Sequence, residues 1–203
     1  MPSILILSGS PIKSGSTELL LREIARGIQE TGARSMSSEL VRLNDYMYLP
    51  CQSCGKSPEP DFCFFHDEIY PVYNLLLECE AVLFGSPVYF DSISAQAKLF
   101  IDRCNCLRPI AVNEDTEYDF KKIITQKRAG AMVLVAGERQ DFEPARKVMA
   151  GFFKWAEIEN CGLIKYGGTS FEAGAVGGDS EKLREAYDLG CRIGSHLDHI
   201  RQD

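Results

Sequence analysis

The sequence predicts an α/β protein, built on a five-stranded parallel sheet of strand order 2-1-3-4-5 with helices on both faces. Three observations carry this expectation. Short apolar runs of strand length alternate with segments of helical periodicity along the 203 residues. The runs are apolar throughout, as in strands covered on both faces, so the sheet should be parallel and sandwiched. The length suits one layered domain, with no internal repeat or linker, so residues 1–203 are read as a single unit.

Each element follows from its pattern. SILILS (3–8) is the first strand. In the helix that follows, Leu20, Leu21, Ile24, Ala25 and Ile28 share one face. MSSELVRL (36–43) is the second strand. EIYPVYNLLLEC (68–79) is helical, with Pro71 allowed in its first turn. AVLFGS (81–86) is the third strand and SAQAKLFIDRC (94–104) the helix after it. GAMVLVAG (130–137) is the fourth strand. FEPARKVMAGFFKWAE (142–157) is a helix burying Ala145, Met149, Phe152 and Ala156, and Trp155 is expected to pack toward the sheet. CGLIKYG (161–167) is the fifth strand. In the last helix (179–200), Leu183, Ala186, Gly190, Ile193, Leu197 and Ile200 step by three and four, with Asp179 as the cap and His196 and His199 on polar faces. Two stretches fit no element. Residues 105–128 read as an exposed excursion, and residues 167–178, with five glycines, as a mobile loop.

Composition narrows the function classes. The net charge of −7 speaks against nucleic acid and anionic membrane as partners, since both recruit basic patches. No apolar run approaches the roughly 20 residues that span a bilayer, and the N-terminus lacks the pattern of a signal peptide. Eight cysteines without a secretory signal point to thiols in a reducing cytoplasm rather than a disulfide framework.

Chemistry concentrates in three places. SGSPIKSGST (8–17) lies where the first strand hands over to a helix. It is neither a G-x-G-x-x-G turn nor a P-loop. It offers the hydroxyls of Ser10, Ser14, Ser16 and Thr17, the helix N–H groups at 17–19 and the charge of Lys13, a set that suits a phosphate dianion. A plain turn with Ser16 as N-cap remains the other reading of the loop alone. At the end of the third strand, Pro87, Val88, Tyr89 and Phe90 put two aromatic rings and a stiff backbone at the same sheet edge. That surface would take a flat ring system, or would pack as an apolar turn.

Taken together, GSPIKSGSTELL, SPVYFDSISAQAKLFIDR and GDSEKLREAYDLG resemble the NADPH-dependent FMN reductase and iron–sulfur flavoprotein branch of the flavodoxin-like superfamily. The resemblance implies a flavodoxin-like three-layer sandwich that binds FMN. It implies the phosphate on Ser10, Ser16 and Thr17, with Lys13 nearby, and the isoalloxazine against Pro87, Val88, Tyr89 and Phe90. It places the loop AGERQDF, through Gly137, Glu138 and Arg139, at the pyrimidine edge. It further implies NAD(P)H as electron donor, a quinone, free flavin or redox protein as acceptor, and a homodimer or homotetramer. No side chain is assigned a catalytic acid–base role, because the flavin carries the chemistry. Asp102 and Arg103 are expected to pair with each other.

The stretch PCQSCGKSPEPDFCFFHDE (50–68) is the third place. The resemblance implies a compact four-cysteine run here, but only Cys51, Cys54 and Cys63 match it, and Ser57 stands at the remaining position. An iron–sulfur cluster needs four ligands, usually thiolates. Cys51, Cys54, Cys63 and His66 would alternatively make a Cys3His zinc set. The sequence reading assigns no metal and leaves cluster and zinc as alternatives.

Overall fold

A computed structural model describes residues 3–32, 35–54, 63–112, 118–168 and 172–200. The first half of the chain contributes β1 (Ile4–Ser8), α1 (Ser16–Thr31), β2 (Ser38–Arg42), α2 (Tyr70–Glu78), β3 (Ala81–Tyr89), β4 (Ser92–Ile93) and α3 (Ala95–Arg103). The second half contributes β5 (Ile110–Val112), β6 (Tyr118–Phe120), β7 (Arg128–Gly137), α4 (Phe142–Trp155), β8 (Ile158–Gly168) and α5 (Ser180–Ile200).

The main sheet runs β2-β1-β3-β7-β8, all parallel, with the short β4 antiparallel to β3. This is the expected order, with one more strand than the five read from sequence. β4 was missed because two residues carry no periodicity. Successive residues of each central strand face opposite layers. Leu5 and Leu7, Val82 and Phe84, and Met132 and Leu134 pack with α2, α3 and α4. Ile4 and Ile6, Ala81 and Leu83, and Ala131 and Val133 pack with α1 and α5. The apolar strands are thus buried on both faces, as a sheet with helices on either side requires.

The α1 and α5 stripes meet at small residues. A Cβ on Gly190 would lie 2.1 Å from the Ile24 carbonyl oxygen, and one on Gly27 would lie 2.2 Å from that of Tyr187. The two helix backbones therefore approach as closely as glycine permits.

The stretch 105–128 is more structured than expected. Cys104–Leu107 form a 3-10 turn, and β5 and β6 pair as a separate antiparallel ladder. Residues 113–117 between them lie outside the described set. Arg108 fastens this excursion to the end of α4, donating to the carbonyls of Trp155 at 2.8 Å and Lys154 at 2.9 Å and pairing with Glu157. Trp155 in turn donates Nε1–H to the Cys104 carbonyl at 3.1 Å. The glycine-rich stretch also departs from the expected mobile loop. Residues 169–171 lie outside the described set, but Ala175–Gly178 form a 3-10 turn whose Val176 is fully buried against the α1 layer.

Asp102 and Arg103 do not pair. Asp102 takes Lys98 one helical turn away at 2.7 Å, while the buried Arg103 reaches Asp67 at 2.8 Å and the Leu49 carbonyl at 2.6 Å. Successive positions on α3 are turned by about 100°, which leaves Asp102 half-exposed and Arg103 in the core, so neighbours in sequence do not face each other.

Candidate functional site

The loops at the carboxyl ends of β1, β3 and β7 converge, where ligands sit in open parallel sheets. The Gly9 N–H donates to the Gly85 carbonyl at 2.8 Å, binding the first loop to β3. Two fully buried serines then tie the first loop to the second. Ser94 Oγ donates to the Gly9 carbonyl at 2.7 Å and accepts from the Ala97 N–H at 3.1 Å, capping α3. The Ser94 N–H donates to Ser86 Oγ at 2.9 Å, and Ser86 Oγ donates to the Pro87 carbonyl at 2.7 Å. Sequence reasoning passed over both serines. The signal available was Ser94 as a cap before AQAKLF.

The first loop is shaped from within. Ser14 has φ 55, and its N–H donates to Glu18 Oε2 at 3.2 Å. Glu18 is buried in the first turn of α1 and also receives Arg42 at 2.8 Å and Arg22 at 2.9 Å. Burial alone would raise its pKa. The hydrogen bonds from Arg42, Arg22 and Ser14 outweigh that and lower it to about 2. The N-cap of α1 is Gly15, not Ser16, and no side chain caps the helix. The first bond back to the cap runs from the Leu19 N–H to the Gly15 carbonyl at 3.0 Å. The N–H groups of Ser16, Thr17 and Glu18 therefore have no partner within the helix, which is the arrangement that receives an anion.

At the second loop, β3 continues to Tyr89 and turns back into β4 through Phe90 and Asp91, with φ 51 and 58. Positive φ at both central residues is the type I′ hairpin geometry. Pro87 and Val88 are buried, but Tyr89 is 46% and Phe90 96% exposed, so the motif is not simply an apolar turn packed into the core. The third loop locks onto this hairpin. The Asp91 N–H donates to Gln140 Oε1 at 2.8 Å and the Asp141 N–H to Asp91 Oδ1 at 2.6 Å.

Together these loops line a cavity of about 450 Å³, within the range of cofactor and ligand pockets. Of the residues singled out from sequence, Ser10, Ser16, Thr17, Pro87, Val88, Tyr89, Phe90 and Gly137 lie on its wall. Lys13 does not, being drawn to Asp45 at 3.4 Å on the exposed side of the loop. Glu138 and Arg139 are likewise absent from the lining, and Gln140 takes the place expected of them. A fourth wall, unforeseen from sequence, comes from Tyr166 and residues 172–175. There the Val176 N–H donates to Ser16 Oγ at 3.2 Å, and Gly174, at φ 76, passes so close to the first loop that a Cβ would lie 3.0 Å from the Ser14 carbonyl oxygen.

The pattern of NADPH-dependent FMN reductases matches residues 2–159. The chain belongs to the NADPH-dependent FMN reductase family. As a member of that family it is an FMN-dependent oxidoreductase. This FMN reductase-family chain is 28% identical to an iron–sulfur flavoprotein of Methanocaldococcus jannaschii over 97% of both chains. Among solved structures it is similar to a flavodoxin from the domain Archaea (TM-score 0.58, 14% identity, 97% of this chain and 99% of that one). It is also similar to RosB with bound 8-demethyl-8-formylriboflavin-5'-phosphate (TM-score 0.69, 14% identity, 98% of this chain and 79% of that one). At those identities the structural likeness shows the flavodoxin-like fold alone.

A second cavity, of about 280 Å³, lies at the other end of α3. Its wall includes Cys51, Cys54, Cys63 and Cys106 with Arg103 and Arg108. None of the eight cysteines is in a disulfide. Burial pushes Cys106 up to about 12 and Cys104 well above the ordinary thiol range. His66 is absent from this wall and stacks on Tyr70 with ring centroids 4.2 Å apart. Among the described residues, no helix is long and apolar enough to cross a membrane.

Proposed function

We propose that this chain is an NAD(P)H-dependent FMN oxidoreductase that passes electrons by a ping-pong exchange to a small acceptor such as a quinone or free flavin. The observation that carries the reading is the convergence of two unlike surfaces on one crevice. Unpaired helix N–H groups with Ser10, Ser16 and Thr17 form one end, and the Pro87–Phe90 edge forms the other. The chemistry FMN supplies when bound is reversible two-electron transfer, with hydride taken from a reduced nicotinamide and electrons returned to an acceptor. The residues of the first loop hold the phosphate, and the dipole of α1 favours its charge. Pro87 and Val88 present a rigid backbone edge to the ring system. Tyr89 and Phe90, exposed beside it, offer the acceptor and the nicotinamide a surface on which to stack. No separate nicotinamide domain is needed, since both substrates use this open face in turn.

The test is direct. FMN added to the purified chain should bind and acquire a perturbed flavin spectrum, and rapid mixing with NADH or NADPH should bleach it. A chain that binds no FMN overturns the reading, and bound FMN that neither nucleotide reduces removes the donor. We further propose a homodimer or homotetramer, which sedimentation would test.

A second reading has its own observation. An electron-transfer flavoprotein that carries an iron–sulfur cluster and serves a redox protein partner would account for the cysteine cavity, and the relative from M. jannaschii bears the name iron–sulfur flavoprotein. Zinc fits less well. Tetrahedral zinc would bring its thiolates within about 3.8 Å of one another. Among the described residues, only Glu159, Cys161 and His196 form a potential ligand set whose atoms all lie within 4.8 Å of one another.

A further inference from the structure

The compact cysteine run supplies three thiols, and a cluster needs a fourth. We infer that Cys106 is the fourth ligand of an iron–sulfur cluster whose other three ligands are Cys51, Cys54 and Cys63. The inference rests on the second reading above and goes beyond it by drawing a ligand from a separate part of the chain.

Cys106 lines the same cavity as the other three, carried there by the 3-10 turn that follows α3. Its neighbour Cys104, on the same turn, is fully buried and absent from that wall. The turn therefore presents one thiol to the cavity and one to the core. Where the compact run would place a further cysteine, this chain has Ser57, whose hydroxyl keeps its proton far more tightly than a thiol does and so makes a poor ligand. The Cys106 thiol donates to the Arg103 carbonyl at 3.2 Å, a contact weak enough for an Fe–S bond to replace.

The charge on the wall suits an anion. Arg103 lines it, with a side chain only 1% exposed. Its terminal nitrogens serve Asp67 and the Leu49 and Phe65 carbonyls. Four thiolates around a 4Fe–4S core of charge 2+ make a complex of charge 2−, and Arg108 adds a second guanidinium to the wall. The spacing agrees. A mononuclear ion gathers its ligands around one atom, whereas a cluster binds each thiolate to a different iron and so keeps them farther apart.

Loading can proceed without redox change. A synthetic 4Fe–4S core of charge 2+ carrying four 2-mercaptoethanol thiolates exchanges its ligands with the protein. Each cysteine S–H passes its proton to a departing thiolate, which leaves as the thiol, and one protein Fe–S bond replaces one to the small ligand. The full-length chain with FMN bound, treated anaerobically with this complex and desalted, should retain about four iron and four sulfide per chain. It should also show the electron paramagnetic signal of a reduced cluster after dithionite. Cys106→Ser should lose the iron and sulfide as fully as Cys54→Ser does, while Cys161→Ser retains the wild-type amount. FMN stoichiometry and the melting temperature before loading report whether each variant folds. Mass spectrometry of the wild type supplies a readout without substitution, because the cluster should protect Cys106 from alkylation but leave Cys191 reactive. Wild-type iron and sulfide in Cys106→Ser, or unprotected Cys106 in the loaded wild type, would overturn the ligand assignment alone. A wild type that binds FMN but holds no iron would overturn the second reading with it.

Discussion

Glu18 shows how one side chain can build a site without touching its ligand. The sequence reading of the first loop counted hydroxyls and Lys13 and gave Glu18 no role. In the structure it is buried, holds the Ser14 N–H and draws in Arg22 and Arg42. Its lowered pKa has a definite consequence. The group gains stability from ionisation in the folded state, fully present above the unfolded value of 4.5 and lost as pH falls toward about 2. Glu18→Gln should therefore lower stability at neutral pH by on the order of 2 kcal/mol and flatten the loss of stability between those two pH values. It should also weaken FMN binding, because Ser14 is released. Urea unfolding from neutral pH downward, beside an FMN titration, would check both. Phe90 poses the opposite case, a residue strained and almost entirely exposed. Asparagine tolerates left-handed φ better, so Phe90→Asn should raise stability by about 0.5–1 kcal/mol. If Phe90 is an acceptor platform, the same variant should raise KM for the acceptor while leaving FMN affinity near wild type. Melting curves and steady-state kinetics separate the two effects.

At the scale of elements, small residues decide how close the layers come. The α5 stripe was legible as a helical face, but its period did not reveal that Gly190 meets α1 backbone to backbone. Gly190→Ala would normally favour a helix. Here the new methyl would lie 2.1 Å from the Ile24 carbonyl oxygen, so the helices must part. The expected cost is about 3 kcal/mol or more, read as a lower midpoint in denaturant. Strand extents show a related effect. The third strand was read as ending at Ser86, because Pro87 and the aromatic pair look like a turn. It continues to Tyr89 since parallel pairing with β7 extends to Pro87 and the β4 hairpin takes over from there. Phe90–Asp91 lacks the Asn-Gly signature of such hairpins. Its unusual backbone is held by Gln140 and Asp141, some fifty residues on, and no local pattern could announce it.

On the scale of the whole molecule, the two cavities sit at opposite ends of α3, a nine-residue helix about 14 Å long. Ser94 caps the end beside the first loop, and Arg103 closes the end beside the cysteines. FMN binds only the folded chain in this scheme. At a hundredfold excess over Kd it should therefore stabilise the protein by about 2.7 kcal/mol, measurable as a rise in melting temperature that Cys106→Ser preserves. The sequence by itself determined the fold class, the strand order and most of the first two loops, because period, punctuation and motif are local and these elements are built locally. It could not decide that Lys13 turns outward to Asp45, that Gln140 rather than Glu138 or Arg139 faces the crevice, or that residues 172–175 return to cover it. Nor could it bring Cys106 beside Cys51, Cys54 and Cys63, which lie more than forty residues earlier. Those outcomes depend on which surfaces meet once the layers have packed, and long-range packing leaves no periodic trace in the chain.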